Sequence, residues 1–121
     1  MASILIIEDD DQLRAMLREM LQRVGYEVTE ARNGNEGVKR YRENPADLVI
    51  TDIIMPEKEG VETIIELKRD FPDVNIIAIS GGGRVRAETY LRMAEKLGAK
   101  RTLTKPFIRE KILEAIKDLI G

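Results

Sequence analysis

Apolar positions along the chain follow two rhythms that alternate from end to end. Ser3 to Ile7 reads "SILII", an unbroken run of strand length, as expected for a central parallel strand covered on both faces. Leu13, Met16, Leu17, Met20, Leu21 and Val24 then recur at helical spacing, and Gly25 supplies the C-terminal stop. "YEVTEA" alternates like a strand nearer a sheet edge. "NGNEGVKRYREN" predicts a weaker helix, loosened by two glycines and ended by Pro45. Leu48 to Thr51 predicts a second buried strand, and Val61 to Phe71 a helix with Ile64, Ile65 and Leu67 inward, closed by Pro72. Asn75 to Ile79 is a third apolar strand. After "SGGG" a charged helix runs from about Arg86 to Leu97 and stops at Gly98. A short strand, Arg101 to Thr104, precedes Lys105 and Pro106, and Ile108, Ile112, Leu113, Ile116, Leu119 and Ile120 mark the last helix.

Five strands alternating with five helices imply an α/β fold, a doubly wound parallel sheet with helices on both faces and strand order 2-1-3-4-5. Ligands of such sheets bind beyond the carboxyl ends of the strands, where the order reverses, here between strands 1 and 3. Glu8 and Asp9 follow strand 1, Asp52 strand 3, Ser80 strand 4 and Lys105 strand 5, so all five are expected at one edge.

Composition narrows the chemistry available there. The 121 residues suit one domain, 1–121, and 43% hydrophobic with 35% charged residues reads as soluble and globular. A net charge of −2 does not suggest a nucleic-acid binder. The apolar runs are a few residues long, far short of the roughly 20 that cross a bilayer, and no basic lead or cleavage site marks a signal peptide. The absence of Cys excludes disulfides and thiolate metal sites and fits a reducing cytoplasm. The absence of His removes the usual general base, the usual zinc ligand and any internal phosphohistidine.

Three carboxylates in one cleft resist ionising together unless a cation neutralises them. Oxygen-only ligands select a hard cation, and a few carboxylates plus waters suit octahedral Mg²⁺. Asp10 and Asp11 have a simpler reading, as residues that cap and favour the start of the first helix. Asp52 could be a strand-end turn residue, but a carboxylate facing the acidic pair can also attack phosphorus and form an acyl phosphate. Phosphoryl transfer then needs in-line positioning and positive charge on the equatorial oxygens, which Mg²⁺, the Lys105 ammonium and the Ser80 hydroxyl would supply.

"ILIIEDD" with Arg14 beyond it, "LVITDIIMPEKEG", "AISG" and "LTKPF" together resemble the receiver domain of two-component response regulators, over essentially the whole chain. The resemblance implies the flavodoxin-like (βα)5 fold. It implies that Asp52 accepts a phosphoryl group from a phosphohistidine on a sensor histidine kinase or phosphotransfer protein, with Ser80 and Lys105 contacting the phosphoryl oxygens. Asp9, Asp52 and the Ile54 carbonyl would bind Mg²⁺ (or Mn²⁺), Glu8 would act mainly through a metal-bound water, and the Lys105–Pro106 bond would be cis. It further implies a cytoplasmic protein whose helix 4/strand 5/helix 5 face binds an effector protein or a second copy, with no direct nucleic-acid or membrane binding.

Two features depart from that family. Thr102 stands where an aromatic residue is usual, three positions before the lysine, so a ring cannot report the modified state. The stretch from Ser80 to Lys105 is a few residues longer than usual and contains "GGGR", a loop of unusual freedom that is not a P-loop. Arg84, Arg86, Arg92, Lys96, Lys100 and Arg101 gather around helix 4 against Glu88 and Glu95, either a solvated face or a docking surface for an acidic partner. Two other classes share parts of the pattern. A dehalogenase-type phosphatase wants a second acid two residues after its nucleophile, where this chain has Ile54, and an unphosphorylated pseudo-receiver would not need Asp9, Asp52, Ser80 and Lys105 together.

Overall fold

The computed structural model describes residues 2–53, 60–80, 92–105 and 109–121. Strands Ser3–Ile7 (β1), Glu27–Ala31 (β2), Leu48–Asp52 (β3), Ile76–Ser80 (β4) and Arg101–Thr104 (β5) form one parallel sheet in the order β2-β1-β3-β4-β5. Helices Asp11–Val24 (α1), Gly34–Glu43 (α2) and Gly60–Asp70 (α3), a helical stretch over residues 92–97 (α4), and Arg109–Ile120 (α5) cover it.

Side chains alternate across a strand, so each apolar run feeds two cores. Leu5, Ile7, Val49, Ile76 and Ala78 pack with Val38, Tyr41, Ile64, Leu67 and Ala94 on the face of α2, α3 and α4. Ile4, Ile6, Leu48, Ile50, Ile77 and Ile79 pack with Leu17, Leu21, Ile112 and Ile116 on the face of α1 and α5. Coverage on both faces is why β1, β3 and β4 read as continuous apolar runs. The edge strand β2 alternates exposed and covered positions instead.

The helices end as their residues dictate. Asp10 caps α1 by accepting from the backbone N–H groups of Gln12 (2.9 Å) and Leu13 (3.1 Å), and Gly25 closes it in the left-handed region at φ 112°. Asn33 caps α2 through the Glu36 N–H at 2.8 Å.

Three expectations shift. Strands β3 and β4 each run one residue further, through Asp52 and Ser80, because Ile53 N–H donates to the Ile79 carbonyl (2.9 Å) and Lys105 N–H to the Ser80 carbonyl (2.7 Å), continuing the ladder. Ile65 faces outward: α3 buries Gly60, Thr63, Ile64 and Leu67, a helical stripe that leaves position 65 on the opposite side. Met16 and Val24 are likewise exposed, because the buried stripe of α1 is centred on Leu17 and Leu21. The Lys105–Pro106 peptide, Ile54, Ile108, the "GGG" loop with Arg84, and residues 86–91 of the expected fourth helix lie outside the described residues.

Register decides where the strand ends fall. Ile7 pairs with Ala31 and Thr51, Asp52 with Ile79, and Ser80 with Thr104, so the carboxyl ends of all five strands meet at one edge.

Candidate functional site

Glu8 is the first residue past β1, and its N–H still donates to the Ala31 carbonyl of β2 at 3.0 Å, which turns its side chain into the edge of the sheet rather than into solvent. It is only 1% exposed. Its Oε2 accepts from the Asp10 N–H at 3.1 Å, while Asp10 in turn caps α1, so the acidic stretch is folded over the helix start and Asp9 is left exposed beside it. Asp52, at the end of β3, is buried at 5% exposure. Glu8, Asp9 and Asp52 each present a carboxylate oxygen, all within 4.8 Å of one another.

Lys105 is the cation of this group. Its Nζ donates to Asp52 Oδ2 at 2.7 Å and stands 2.9 Å from Glu8 Oε1, off the direction of a hydrogen bond. Burial pushes the Glu8 carboxyl up to about 7; the Lys105 ammonium pulls against that rise and the Asp52 charge adds to it. Burial would lower Lys105, but the Asp52 and Glu8 carboxylates beside it outweigh burial and hold the ammonium above its usual range. Among the described residues, Lys105 brings one ammonium to three clustered carboxylates.

Ser80 completes the group. It is fully buried at the end of β4, and among the described residues its Oγ has no hydrogen-bond partner. A buried polar atom without a partner costs about 1–3 kcal/mol, which argues for a ligand oxygen at this place. Five residues expected at the edge from their positions after strands are therefore found there. Ile54, the sixth expected contributor, lies outside the described residues.

Two contributors were not legible as functional. A Cβ on Gly60 would lie 2.1 Å from the Asp52 carbonyl oxygen, so only glycine lets α3 start against the end of β3. The Gly60 N–H donates to the Ile53 carbonyl at 2.7 Å, and the Thr51 hydroxyl donates to the Asp52 carbonyl at 3.0 Å. The backbone around Asp52 is thus held from both sides. A glycine directly before the apolar helical stripe is the one signal that could have pointed to this contact.

The donor set fits a hard cation: oxygen ligands only, clustered, with the buried Ser80 Oγ lacking a hydrogen bond and Glu8 Oε1 met only by the Lys105 ion pair among the described residues. A groove of about 450 Å³ between α1 and α5, lined by Met16, Glu19, Met20, Arg23 and Arg109, contains none of these residues. An ion and a phosphoryl group need charge complementarity more than they need a deep cavity.

Residues 4–117 match the sequence profile of the response regulator receiver domain. The chain belongs to the response regulator receiver domain family. It is 38% identical over 114 residues to the chemotaxis protein CheY of Thermotoga maritima, covering 93% of this chain and 92% of that one. The receiver domain protein of Clostridium thermocellum superposes with a TM-score of 0.92 at 31% identity, covering 99% of this chain and 94% of that one. The response regulator TrrA of Thermotoga maritima, solved in complex with Mg²⁺-BeF, superposes with a TM-score of 0.86 at 32% identity, covering 99% and 100% of the two chains. This receiver is CheY-like, it is the receiver of a two-component response regulator, and it carries an acidic cluster at its sheet edge. Among its described residues no helix is long and apolar enough to cross a membrane. Thr102 is half-buried on β5, paired in register with Ala78.

Proposed function

We propose that Asp52 is the phosphoacceptor of this receiver, with Glu8, Asp9, Ser80 and Lys105 as its partners. The observation that carries the reading is the buried Asp52 carboxylate, clustered with Glu8 and Asp9 and bonded to the Lys105 ammonium at 2.7 Å.

A carboxylate oxygen of Asp52 attacks the phosphorus of a phosphohistidine on a sensor kinase or phosphotransfer protein. The new O–P bond forms as the N–P bond breaks, and the departing imidazole takes its proton from solvent. Asp9 and Asp52, with the Ile54 carbonyl, would hold Mg²⁺ directly, and Glu8 would act through a water of the ion. Mg²⁺ when bound neutralises charge on the transferring phosphoryl oxygens. Lys105 carries the second positive charge to them, and Ser80 Oγ donates to an oxygen of the acyl phosphate. The same fixed donors favour the crowded negative charge of the transition state without reorganising.

The signal leaves through Ser80, which joins β4 to the stretch before α4. The α4–β5–α5 face would then meet a downstream effector protein or a second copy, in the cytoplasm where such kinases deliver their phosphoryl groups. Exposed Arg92, Lys96, Lys100 and Arg101 give the described part of that face a basic character suited to an acidic partner.

Intact-mass spectrometry after incubation with acetyl phosphate and Mg²⁺ tests the assignment. The wild type should gain one phosphoryl group and Asp52→Ala none. Modification of Asp52→Ala in equal yield would place the acceptor elsewhere, and an unmodified wild type would mark the chain as an interaction module that is never phosphorylated.

A further inference from the structure

Beyond the residues that would touch ion or phosphoryl group, one side chain ties the acidic stretch to the far edge of the sheet. Arg14, one turn into α1, is 13% exposed and uses every nitrogen of its guanidinium. Its Nη1 donates to the Glu8 carbonyl at 2.8 Å, its Nη2 to Asp11 Oδ1 at 2.5 Å and its Nε to Glu30 Oε1 at 3.3 Å. Glu30 belongs to the edge strand β2, and its other oxygen accepts from Arg18 Nη1 at 3.0 Å.

The Glu8 peptide is therefore held at both ends by β2. Its N–H donates to the Ala31 carbonyl directly, and its carbonyl accepts from an arginine that Glu30 orients. A planar guanidinium fork serves three acceptors at fixed angles, which a lysine ammonium on a flexible stem cannot do. The peptide so fixed is the one from which the Glu8 and Asp9 carboxylates leave toward Asp52.

We infer that Arg14, oriented by Glu30, is a positioning residue that sets the Glu8 and Asp9 carboxylates in the geometry the divalent cation needs. The inference rests on the metal reading of this edge. It also has a sign that separates it from a simple effect of charge. A guanidinium near the site repels a cation, so removing it should tighten Mg²⁺ binding if Arg14 acts only through its field. If Arg14 acts by positioning, removing it should loosen binding in spite of the lost repulsion.

Isothermal titration of the whole protein with MgCl₂ decides between them, with thermal midpoints measured on the same samples. Arg14→Met, which keeps the stem's packing, should bind Mg²⁺ about tenfold more weakly, the range seen when outer partners of metal ligands are lost. Arg14→Lys keeps the charge and should remain weakened. Glu30→Gln and Glu30→Leu lose the same charge, but only Gln still offers an oxygen to Arg14 Nε, so Leu should weaken binding and Gln should stay within about twofold of the wild type. The double variant Arg14→Met with Glu30→Leu should bind no more weakly than Arg14→Met alone. Unchanged or tighter binding in Arg14→Met with a lowered midpoint would reduce Arg14 to a packing residue, and additive losses in the double variant would separate Glu30 from it. Should Arg14→Met not fold, equal affinities for Glu30→Gln and Glu30→Leu overturn the inference by themselves. A wild type that does not bind Mg²⁺ at all would overturn the metal site and this inference with it, an outcome distinct from each of the others.

Discussion

Two groups of acids on this receiver show how far surroundings decide what a carboxylate does. At the sheet edge Glu8 and Asp52 meet the Lys105 ammonium, with the Asp9 carboxylate clustered beside them. On the outer side of α2 and α3, Glu66 and Asp70 meet two guanidiniums: Arg42 bonds both acids, and Arg69 bonds Asp70 at 3.0 Å. Arg42 also lies over the Phe71 ring at 5.7 Å from its centre, which keeps its charge in place. The titrations part accordingly. Burial pushes Glu8 up to about 7, whereas bonds from Arg69 and Arg42 hold Asp70 at about 2. Among the described residues, one group sets a single ammonium against three carboxylates, two of them buried; the other sets two guanidiniums against two partly exposed acids. A deficit of that kind invites a cation, and a satisfied surface network does not.

The largest effect expected from this contrast is on metal binding. Asp9→Ala should remove measurable Mg²⁺ binding in a calorimetric titration, while Asp70→Asn should leave it unchanged and Asp11→Ala, at an exposed acid in the first turn of α1, should leave it nearly so. Equal affinities for Asp9→Ala and Asp70→Asn would erase the distinction between the two groups.

Next in size is the cost of the buried acid in the metal-free protein. The folded value of Glu8, about 7, lies above its ordinary 4.5, so the folded state holds this proton more tightly than the unfolded chain does. Its contribution is fully present below 4.5, is lost as pH rises toward 7, and stays lost above it; the rise corresponds to about 3 kcal/mol. Without metal, Glu8→Gln should therefore be more stable than the wild type above pH 7, with the advantage fading toward pH 4.5, as read from urea unfolding midpoints across that range. Saturating Mg²⁺ should reverse the order, because a cation beside Glu8 favours the wild type's charged carboxylate.

A smaller loss is expected from Gly60→Ala. Its Cβ would stand 2.1 Å from the Asp52 carbonyl, so α3 or the end of β3 must move, at about 1–3 kcal/mol. Phosphoryl incorporation at Asp52 should slow more than the stability loss alone accounts for. Incorporation at the wild-type rate would show that the close approach serves packing only.

The smallest effect belongs to the surface network. Asp70 sits below its ordinary 3.8, so its contribution is present above that value and disappears as pH falls through about 2. Asp70→Asn should lower the urea midpoint slightly at pH 7 and low salt, and the difference should shrink in high salt and at pH 2. A salt-independent loss as large as that of Gly60→Ala would mean the network is structural in a way its exposure does not suggest.

Much of this protein follows from local order along the chain. Runs such as "ILII", "LVI" and "IIAI" must be covered on both faces, and strands of that kind separated by helices leave few arrangements other than the parallel sheet observed. Glu8, Asp9, Asp52, Ser80 and Lys105 could be named as a group because each stands at the end of such a strand, and parallel strands bring their carboxyl ends to the same edge. Packing alone decided the finer points. Adjacent acids Glu8 and Asp9 have the same local setting, yet Glu8 is buried and Asp9 exposed because the Ala31 carbonyl and the Arg14 guanidinium fix the peptide between them. Ile65 faces water because contact with the sheet, not composition, sets the phase of α3. Gly60 against Asp52, and Glu30 behind Arg14, join residues that lie 8 and 16 positions apart. Periodicity tells which side of an element is apolar; which atoms meet across two elements depends on how closely they dock, and that distance is a property of the assembled core.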